Sequence, residues 1–450
     1  MATIAAISTP QGVGGISVIR LSGKEALNIA SKVFVCSNNE TMKNAEPRKM
    51  YLGTFNASTF TEKCMAVYFK APNSYTGEDI VEFQCHGGTV IANGILTTLL
   101  NVGAEMAGPG EFTKRAFING KLSLDEAEGV MDMINAESES EVRAGYNLLN
   151  GNLSKQINVL QNDLTKMLAK IEVVLDYPEN DYEDQTSAEV TETLINVKDV
   201  CENLIKTSGT GMMVKNGSKV LILGKPNVGK SSLLNAILNY DRAIVTNIKG
   251  TTRDILEESY VYNGVKFVLT DTAGVRESTD VVEKIGIERA KQAVNYADVI
   301  LVVLDSSDKL ETEDEQILEL VKNKKAILVL NKNDMPTKID LGKYNFEYVF
   351  KVSALNKVGI EELKQNIYDL VIDKNIISSN ILITNQRHLQ SLKKAVSAIG
   401  DALISLTNGN TLDIVSIDIK NVWLALGEIT GNSNNESIIT EIFSSFCVGK

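Results

Sequence analysis

The stretch from about residue 217 to residue 372 alternates short apolar runs with amphipathic segments. The apolar runs occupy residues 220–223, 267–269, 299–304, 326–330 and 348–352. Runs of this kind, separated by helices, are typical of a mostly parallel sheet that is covered on both faces. The dipeptide Asn263-Gly264 stands between residues 259–262 and 265–269 and is a hairpin signal. The pattern therefore predicts a covered parallel sheet with one antiparallel edge strand.

The two flanks follow other patterns. Before residue 119 the pattern indicates mixed α/β structure, with strands at 15–21, 65–69 and 80–83 and a helix at 89–102. Apolar residues at helical spacing dominate two further regions and predict helices at 122–150, 153–175, 188–207, 386–406, 414–426 and 436–446. An acidic loop containing proline is predicted at 176–185.

These patterns predict a multidomain protein with α/β and all-α parts. The α/β domain in the middle of the chain would be inserted into a helical domain that both flanks build. The predicted boundaries are 1–118 for the N-terminal α/β domain, 119–212 and 375–450 for the helical domain, and 213–374 for the inserted domain.

Composition narrows the class of protein. The chain has 450 residues, of which 44% are hydrophobic. No apolar run approaches the roughly 20 residues that a membrane span needs. Five cysteines at irregular spacing favour reduced thiols, and two histidines make a zinc site or a histidine-dependent triad improbable. We therefore expect a cytoplasmic protein without a membrane partner.

Residues 224–231, GKPNVGKS, match the pattern GxxxxGK[ST]. They follow the strand-like VLIL and precede the helical SSLLNAIL, which is the context of a phosphate-binding loop. The glycines let backbone N–H groups face a phosphate, and the helix N-terminus adds a favourable dipole. We expect Lys230 to bridge the β- and γ-phosphates and Ser231 to bind Mg²⁺.

The sequence NKND at 331–334 follows the apolar run AILVL. A carboxylate accepts two hydrogen bonds, which matches the N1–H and N2–H₂ donors of guanine and does not match adenine. Asp334 is therefore predicted to select GTP over ATP, and Ser353-Ala354 to offer backbone N–H to guanine O6. Together with the phosphate-binding loop, this motif predicts a Ras-like G domain.

Two polar loops are predicted to sense the γ-phosphate. In DTAG, residues 271–274, Asp271 would hold Mg²⁺ through water and Gly274 would donate its N–H. In GTTRD, residues 250–254, Thr252 would be the second Mg²⁺ ligand. Ras-type enzymes place a water-orienting Gln directly after the DxxG glycine. Val275 occupies this position and cannot orient water, so either another group does so or hydrolysis is slow.

Longer strings resemble the tRNA-modification GTPases called MnmE or TrmE, over essentially the whole chain. They are GGISVIRLSG, PNSYTGEDIVEFQCHGG, GPGEFTKRAFINGKLSLDEAEG, GKPNVGKSSLLN, IKGTTRD, DTAGVRE and the final CVGK. The usual family ending is CIGK, so Val448 is a conservative departure.

The resemblance implies a potassium-stimulated GTPase that forms a homodimer through its G domains. K⁺ would stand where other enzymes place an arginine finger, at the positions of Asn227, Thr246, Ile248 and Thr251. Glu283 matches the glutamate that positions the hydrolytic water, and with Lys230 it is predicted to be catalytic. The residues predicted to surround GTP are Asn227, Val228, Gly229, Lys230, Ser231, Ser232, Thr246, Asn247, Ile248, Lys249, Gly250, Thr251, Thr252, Asp271, Thr272, Ala273, Gly274, Asn331, Lys332, Asn333, Asp334, Ser353 and Ala354.

The resemblance also implies an N-terminal domain that binds 5-formyl- or 5,10-methylene-tetrahydrofolate as a one-carbon donor. The matching residues are Arg20, Glu82, Lys121 and Lys450. Glu82 can accept from the amino edge of the pterin, while Arg20 and the lysines suit carboxylates. Cys447 is predicted to be catalytic as a reactive thiol near the folate, and an inert buried thiol is the open alternative.

The reaction implied by the resemblance adds a carboxymethylaminomethyl-type substituent to carbon 5 of the wobble uridine in certain tRNAs. It requires an FAD-dependent partner similar to MnmG, in a heterotetramer or a larger assembly. A partner with a basic surface would account for tRNA binding despite the net charge of −12, because nucleic-acid surfaces are usually basic.

Three other functions are compatible with parts of the sequence. A ribosome-assembly or RNA-chaperone GTPase explains the G domain equally well but leaves Arg20, Glu82 and the CVGK ending without a role. A regulatory switch without coupled chemistry would not bind folate. The G domain of a membrane transporter is disfavoured because no spanning run is present.

Overall fold

A computed structural model of the chain describes residues 1–37, 41–177, 183–238, 257–271, 292–342, 344–373, 376, 381–433 and 436–450. Contacts divide the chain into two compact units. The first comprises Met1–Met131, Leu148–Leu194 and Ser397–Lys450, and the second comprises Asp132–Asn147 and Ile195–Val396. Within the described ranges, no helix combines the length and the apolar character needed to cross a lipid bilayer.

The N-terminal part of the first unit is a mixed sheet with helices. Its elements are β1 (Ile4–Ile7), β2 (Ile16–Ser22), α1 (Ala26–Val33), β3 (Phe34–Cys36), β4 (Met50–Asn56), β5 (Thr61–Phe69), β6 (Ile80–His86), α2 (Thr89–Asn101), β7 (Glu105–Met106) and α3 (Glu111–Ile118). The strand order in the described residues is β3-β4-β5-β6-β2-β1-β7. The strands predicted at 15–21, 65–69 and 80–83 and the helix predicted at 89–102 are confirmed.

The core of this sheet is aromatic and closely packed. Phe83 of β6 packs against Phe34 of β3 and Phe55 of β4, with ring centroids 5.8 and 5.1 Å apart. All three rings are buried, together with apolar residues of α1 and α2. Because β2 pairs antiparallel with β6, Arg20 stands directly opposite Glu82. The sheet therefore places two of the predicted folate residues side by side.

The next segment forms four helices: α4 (Leu124–Asn135), α5 (Glu139–Leu149), α6 (Asn152–Asp176) and α7 (Glu183–Asn216). The single helix predicted at 122–150 is wrong, because a new helix starts after Ser138. The Ser138 hydroxyl donates to Glu141 at 2.9 Å and accepts from the Glu141 N–H at 3.3 Å, while the Glu137 N–H donates to the Glu141 carboxylate at 2.8 Å. Such reciprocal bonds satisfy the free amides of a helix start. Helix α7 exceeds the predicted 188–207 at both ends.

The predicted G domain contains the second sheet. Its elements are β8 (Ser218–Leu223), α8 (Lys230–Leu238), β9 (Glu257–Tyr262), β10 (Val265–Asp271), β11 (Val299–Asp305), α9 (Thr312–Val321), β12 (Ala326–Asn331), β13 (Val349–Lys351) and α10 (Ile360–Val371). The strand order in the described residues is β13-β12-β11-β8-β10-β9. Only the edge pair of β9 and β10 is antiparallel among these described strands, as predicted.

The parallel strands carry the nucleotide motifs to one edge of the sheet. β8, β10, β11 and β12 run in the same direction, so their carboxyl ends lie together. Ligands of open α/β sheets bind at this edge. The loops after these strands therefore converge on one site.

The C-terminal helices are α11 (Gln386–Thr407), α12 (Leu412–Thr430) and α13 (Glu436–Ser444). Helix α12 packs on α6, although the inserted segment separates them in sequence. Gln161 of α6 donates to the Trp423 carbonyl at 3.0 Å, and the Trp423 indole donates to Thr165 at 3.1 Å. The predicted fold class is confirmed: a Ras-like domain is inserted between helical segments that pack on each other.

Candidate functional site

The phosphate-binding loop connects β8 to α8. Gly229 has φ +96°, and a Cβ there would lie 2.3 Å from Nδ2 of Asn331, so only glycine fits. Lys230 is 8% exposed, and its Nζ donates to the carbonyl oxygens of Gly224 and Lys225 at 2.8 Å each. The loop thus folds around the ammonium group that is predicted to bind the β- and γ-phosphates.

The start of α8 presents oxygen donors. Ser231 and Ser232 are exposed at its first turn, next to the loop. Asn227 is exposed and has φ +66°, which Asn tolerates better than most residues. A hydroxyl oxygen is a hard ligand of the kind that Mg²⁺ prefers, so Ser231 fits the role assigned to it.

Lys225 anchors the loop to α9. Its Nζ lies 2.9 Å from a Glu311 oxygen and 3.1 Å from an Asp314 oxygen. Burial by itself would lower the pKa of Lys225, but the hydrogen bonds and charges of Glu311 and Asp314 outweigh it and raise that pKa. The lysine therefore stays charged and holds the first half of the loop against α9.

Asn331 joins the phosphate end of the site to the base end. It is 2% exposed, its amide donates to the Val228 carbonyl at 2.9 Å, and its oxygen accepts from the Ala354 N–H at 3.0 Å. Its contacts in this structure are therefore with protein. The Ser353 and Ala354 N–H groups, which were predicted to donate to guanine O6, both have protein acceptors in this structure. The Ser353 N–H donates to the Val358 carbonyl, and guanine O6 would have to share the Ala354 N–H with Asn331.

The base-recognition residues are fixed by their neighbours. The Ser353 hydroxyl donates to the Asp334 carboxylate and so orients it. Lys332, with φ +60°, forms an ion pair with Asp305 at the end of β11, at 2.6 Å. Burial would raise the pKa of Asp305, but hydrogen bonds from Lys332 and Ser307 outweigh burial and lower it. No motif or spacing predicts this Asp305–Lys332 pair.

Many predicted residues fall outside the described ranges. These are Thr246, Asn247, Ile248, Lys249, Gly250, Thr251, Thr252, Thr272, Ala273, Gly274, Val275 and Glu283. The backbone of Asp271 ends β10, and its side chain is also outside the description. The predicted roles of these residues in binding GTP, Mg²⁺, K⁺ and the hydrolytic water stay predictions.

The first unit brings Arg20, Glu82 and Lys450 together. Arg20 Nε donates to Glu82 Oε1 at 2.8 Å, and both side chains are less than one-fifth exposed. Burial lowers the pKa of Lys450, and the nearby Arg20 cation lowers it further. The Arg20 charge is paired with Glu82, whereas no described ion pair neutralises the nearby Lys450.

The C-terminal residues reach this site because the tail pairs with the N-terminal domain. The Gly110 and Phe112 N–H groups donate to the Cys447 and Lys450 carbonyl oxygens at 3.2 Å each, and Ser8 donates to the Gly449 carbonyl at 3.0 Å. Among the contacts that the structure describes, none joins Lys121 to Arg20, Glu82 or Lys450, and Lys121 is exposed.

Sequence reasoning missed two aromatic residues beside Arg20. The rings of Tyr75 and Phe112 lie with their centroids 5.4 and 5.6 Å from the Arg20 guanidinium carbon. Tyr75 belongs to the string PNSYTGED and Phe112 to GPGEFTKR. An isolated aromatic residue carries no periodic or spacing signal, so only the fold could reveal the cluster.

The cysteines separate into buried and exposed thiols. All five are free, and Cys447 is exposed while the other four are buried. Burial raises the pKa of Cys64 and Cys201 to about 12 and that of Cys85 to about 11, which makes them poor nucleophiles. The alternative of a buried, inert Cys447 is wrong, because the tail leaves its thiol on the surface.

Solved structures that resemble part of the chain are GTP-binding proteins. Era of Aquifex aeolicus bound to GDP and aluminium fluoride is 28% identical, with a TM-score of 0.28, and covers 40% of this chain and 66% of its own. The G domain of the Thermotoga maritima iron transporter FeoB is 30% identical, with a TM-score of 0.27, and covers 34% of this chain and 99% of its own. TM-scores this low do not define the fold of the whole chain.

Family models and curated relatives match the whole length. A model for the N-terminus of the GTP-binding protein TrmE matches residues 3–121, and a model for the MnmE helical domain matches residues 124–447. The tRNA modification GTPase MnmE of Clostridioides difficile is 42% identical and that of Alkaliphilus oremlandii 40%, each over 100% of this chain and 99% of the relative. The prediction of a GTP hydrolase is confirmed. The chain belongs to the MnmE, or TrmE, family.

Proposed function

We propose that this GTPase uses GTP hydrolysis to drive the modification of carbon 5 of the wobble uridine in certain tRNAs. The observation that carries the GTPase part is the joined site: the buried Asn331 links the phosphate-binding loop at Val228 to the base loop at Ala354. The tRNA substrate is inferred from the activity that the names of the MnmE relatives state.

In the proposed site Lys230 binds the phosphates and Asp334 binds the guanine edge. Ser231, Thr252 and, through water, Asp271 would hold Mg²⁺, which neutralises the developing phosphate charge. The exposed hydroxyl of Ser231 and the orienting bond from Ser353 to Asp334 support these roles. Ras-type enzymes orient the attacking water with a Gln at the position that Val275 occupies here, and Glu283 would take over this role.

The potassium site is the finer part of the proposal. Asn227 is exposed on the phosphate-binding loop, where its amide oxygen is available to a cation, and Thr246, Ile248 and Thr251 would complete the oxygen ligands. Bound K⁺ would supply the positive charge that an arginine finger supplies elsewhere. Steady-state hydrolysis measured in K⁺ and in Na⁺ tests this part, and equal rates would refute it.

The folate site is supported by the charge balance around Arg20. Arg20 is paired with Glu82, and Lys450 lies close enough to Arg20 for its pKa to be lowered, so an anionic ligand would relieve the repulsion between the two cations. The glutamate carboxylates of 5-formyl- or 5,10-methylene-tetrahydrofolate suit these cations, and Glu82 can accept from the pterin amino edge. Lys121 would act from its exposed position three residues after the end of α3, and the exposed thiol of Cys447 would lie beside the one-carbon group.

The complete enzyme is proposed to be a cytoplasmic homodimer that works with an FAD-dependent subunit similar to MnmG. That subunit would carry the basic surface for tRNA, which a chain with a net charge of −12 does not readily provide. Nucleoside analysis of tRNA from cells that lack this chain tests the modification. Unaltered wobble uridines would refute it and leave the GTPase activity standing.

A further inference from the structure

The base-recognition motif NKND carries a cation two residues before the carboxylate that is predicted to bind guanine. Lys332 and Asp334 lie in one turn, because the Met335 N–H donates to the Lys332 carbonyl at 2.9 Å. Asp334 is exposed, and its carboxylate accepts from the hydroxyl of Ser353. A lysine this close to an exposed carboxylate competes for the oxygens that a base needs.

The structure directs the Lys332 ammonium elsewhere. Lys332 has φ +60°, a left-handed conformation that is uncommon for a residue other than glycine. Its Nζ lies 2.6 Å from Oδ2 of Asp305, at the end of the neighbouring strand β11. The other oxygen of Asp305 accepts from the N–H and the hydroxyl of Ser307, at 2.9 and 2.7 Å. The Asp305 side chain is only 13% exposed, so its carboxylate is fixed and its attraction for the lysine is weakly screened.

We propose that Asp305 is a positioning residue for base specificity, which holds the Lys332 ammonium so that the Asp334 carboxylate stays accessible to the edge of guanine. The inference rests on the base-binding role proposed above for Asp334. Asp305 acts through Lys332 and needs no contact with the nucleotide. When the Asp305 carboxylate is removed, the ammonium is released beside Asp334, and the donors of guanine have to displace it.

A purely structural Asp305 would behave differently. If its ion pair only tied the end of β11 to the loop after β12, its loss would weaken every nucleotide alike. Hypoxanthine shares N1–H and O6 with guanine and lacks the amino group on carbon 2. The ratio of the affinities for guanosine diphosphate (GDP) and inosine diphosphate (IDP) therefore reports the contact between Asp334 and that amino group. Contacts to the phosphates and to the ring faces are common to both nucleotides and cancel in the ratio.

The test uses the full chain and calorimetric titration with GDP and with IDP in the presence of Mg²⁺. We expect Asp305→Asn and Asp305→Ala each to reduce the preference for GDP roughly tenfold, as the weakening of one charged hydrogen bond does. The double variant that adds Lys332→Met to Asp305→Asn should recover most of that preference, because the competing charge is gone. Asp308→Asn is the matched control: it removes the same charge from an exposed position in the same loop and should leave both affinities unchanged.

A preference for GDP that falls and is not recovered in the double variant would show that Asp305 acts structurally. A preference that both single variants retain would overturn the inference as well. A parent chain without the preference, or one whose preference survives Asp334→Asn, would overturn the base-binding role of Asp334 and this inference with it. Each titration also reports the fraction of protein that binds, so a folding defect is recognised separately, and the two substitutions of Asp305 give independent readings.

Discussion

One side-chain amide connects the two halves of the nucleotide site. Asn331 satisfies the Val228 carbonyl and the Ala354 N–H, and both bonds are buried. A buried polar group that loses its partner costs about 1–3 kcal/mol. In the short NKND motif, the first residue, Asn331, therefore bridges the two loops, while the last residue, Asp334, is predicted to recognise the base.

Asn331→Ala should weaken GTP binding by roughly tenfold or more and destabilise the protein, because it leaves two buried backbone groups unpaired. Asp334→Asn is the matched control within the same motif. The Asp334→Asn variant should be as stable as the parent chain. It should bind xanthine nucleotides in preference to guanine nucleotides, because the carbon-2 carbonyl of xanthine accepts a hydrogen bond from the new amide. Nucleotide titrations and denaturant unfolding measure both effects. An Asn331→Ala variant with unchanged GTP affinity would contradict the bridging role.

We expect Lys450 to make the affinity of the proposed folate site depend on pH. Burial lowers its pKa from 10.5 and the Arg20 cation lowers it further, and only the charged form attracts a carboxylate. The affinity for 5-formyltetrahydrofolate should therefore fall as the pH rises through the lowered pKa of Lys450. In the free protein the sign is opposite. Because the pKa of Lys450 is lower in the folded chain than in the unfolded chain, its deprotonation favours the folded state. This contribution to the free energy of unfolding is complete above pH 10.5 and is lost as the pH falls through the folded-state pKa.

Titrations from neutral pH to about 10 measure this dependence, and Lys450→Met is the variant that should flatten it. The same ligand is used for both proteins, so ionisation of the ligand itself cancels in the comparison. A slope that persists in Lys450→Met would show that another group titrates.

Motifs and the family resemblance predicted candidate ligand-binding residues for both proposed sites, but they did not identify the residues that contact and orient those side chains. Lys230 and Asp334 lie in local patterns whose chemistry can be deduced from neighbouring letters. Tyr75 lies beside Arg20 although 55 positions separate them in the chain, and Asp305 meets Lys332 because β11 and β12 are neighbours. Such contacts join distant positions, and no local spacing encodes them.

At the scale of elements, the β9–β10 hairpin is attached to the start of α5 within the second unit. The Ser140 N–H donates to the Gly264 carbonyl in the turn at 3.0 Å, and Lys266 of β10 pairs with Glu137 at 2.7 Å. The strand β10 also carries the backbone of Asp271 to the nucleotide site. One strand thus connects the helical segment before the G domain to a predicted Mg²⁺ residue.

The ion pair should contribute modestly to the stability of the second unit. Lys266 and Glu137 are 20% and 36% exposed, so solvent screens their attraction. A double-mutant cycle with Lys266→Met and Glu137→Gln should give a coupling free energy of about 0.5 kcal/mol that shrinks at high salt. Denaturant unfolding at two salt concentrations measures it. A coupling of zero at low salt would mean that the backbone bond from Ser140 holds the hairpin without help.

Elements were predictable where the hydrophobic pattern is strong. The buried parallel strands β8, β11 and β12 are continuous apolar runs, and the Asn263-Gly264 turn predicted the β9–β10 hairpin. The strands β1, β3 and β7 escaped prediction because they are short, and β4 escaped because it alternates buried and exposed residues. The break between α4 and α5 escaped as well, since the helical spacing continues through it while Ser138 and Glu141 start a new helix.

At the scale of the whole molecule, each unit contains the described residues of one of the two proposed sites. The described nucleotide residues all belong to the second unit, whereas Arg20, Glu82 and Lys450 belong to the first. The first unit is assembled from three stretches of sequence, and the chain's last residues complete its site. This closure could not be predicted from spacing, because Ser8 and Gly449 are 441 positions apart in the chain.

The tail therefore offers a way to disable one site and leave the other intact. Gly449 has φ +98°, and a Cβ there would lie 2.3 Å from the Ile7 carbonyl oxygen, so Gly449→Ala should displace the tail and Lys450 with it. We expect the affinity for 5-formyltetrahydrofolate to fall by about tenfold or more, because a charged contact to the ligand is lost.

Val448→Ile restores the usual family residue at an exposed position and should change neither the folate affinity nor the GTP affinity. GTP affinity should stay unchanged in both variants, since the described GTP-binding residues lie in the other unit. Parallel titrations with the two ligands decide the matter: equal losses for GTP and folate, or no loss for folate, would mean that the tail does not complete the folate site.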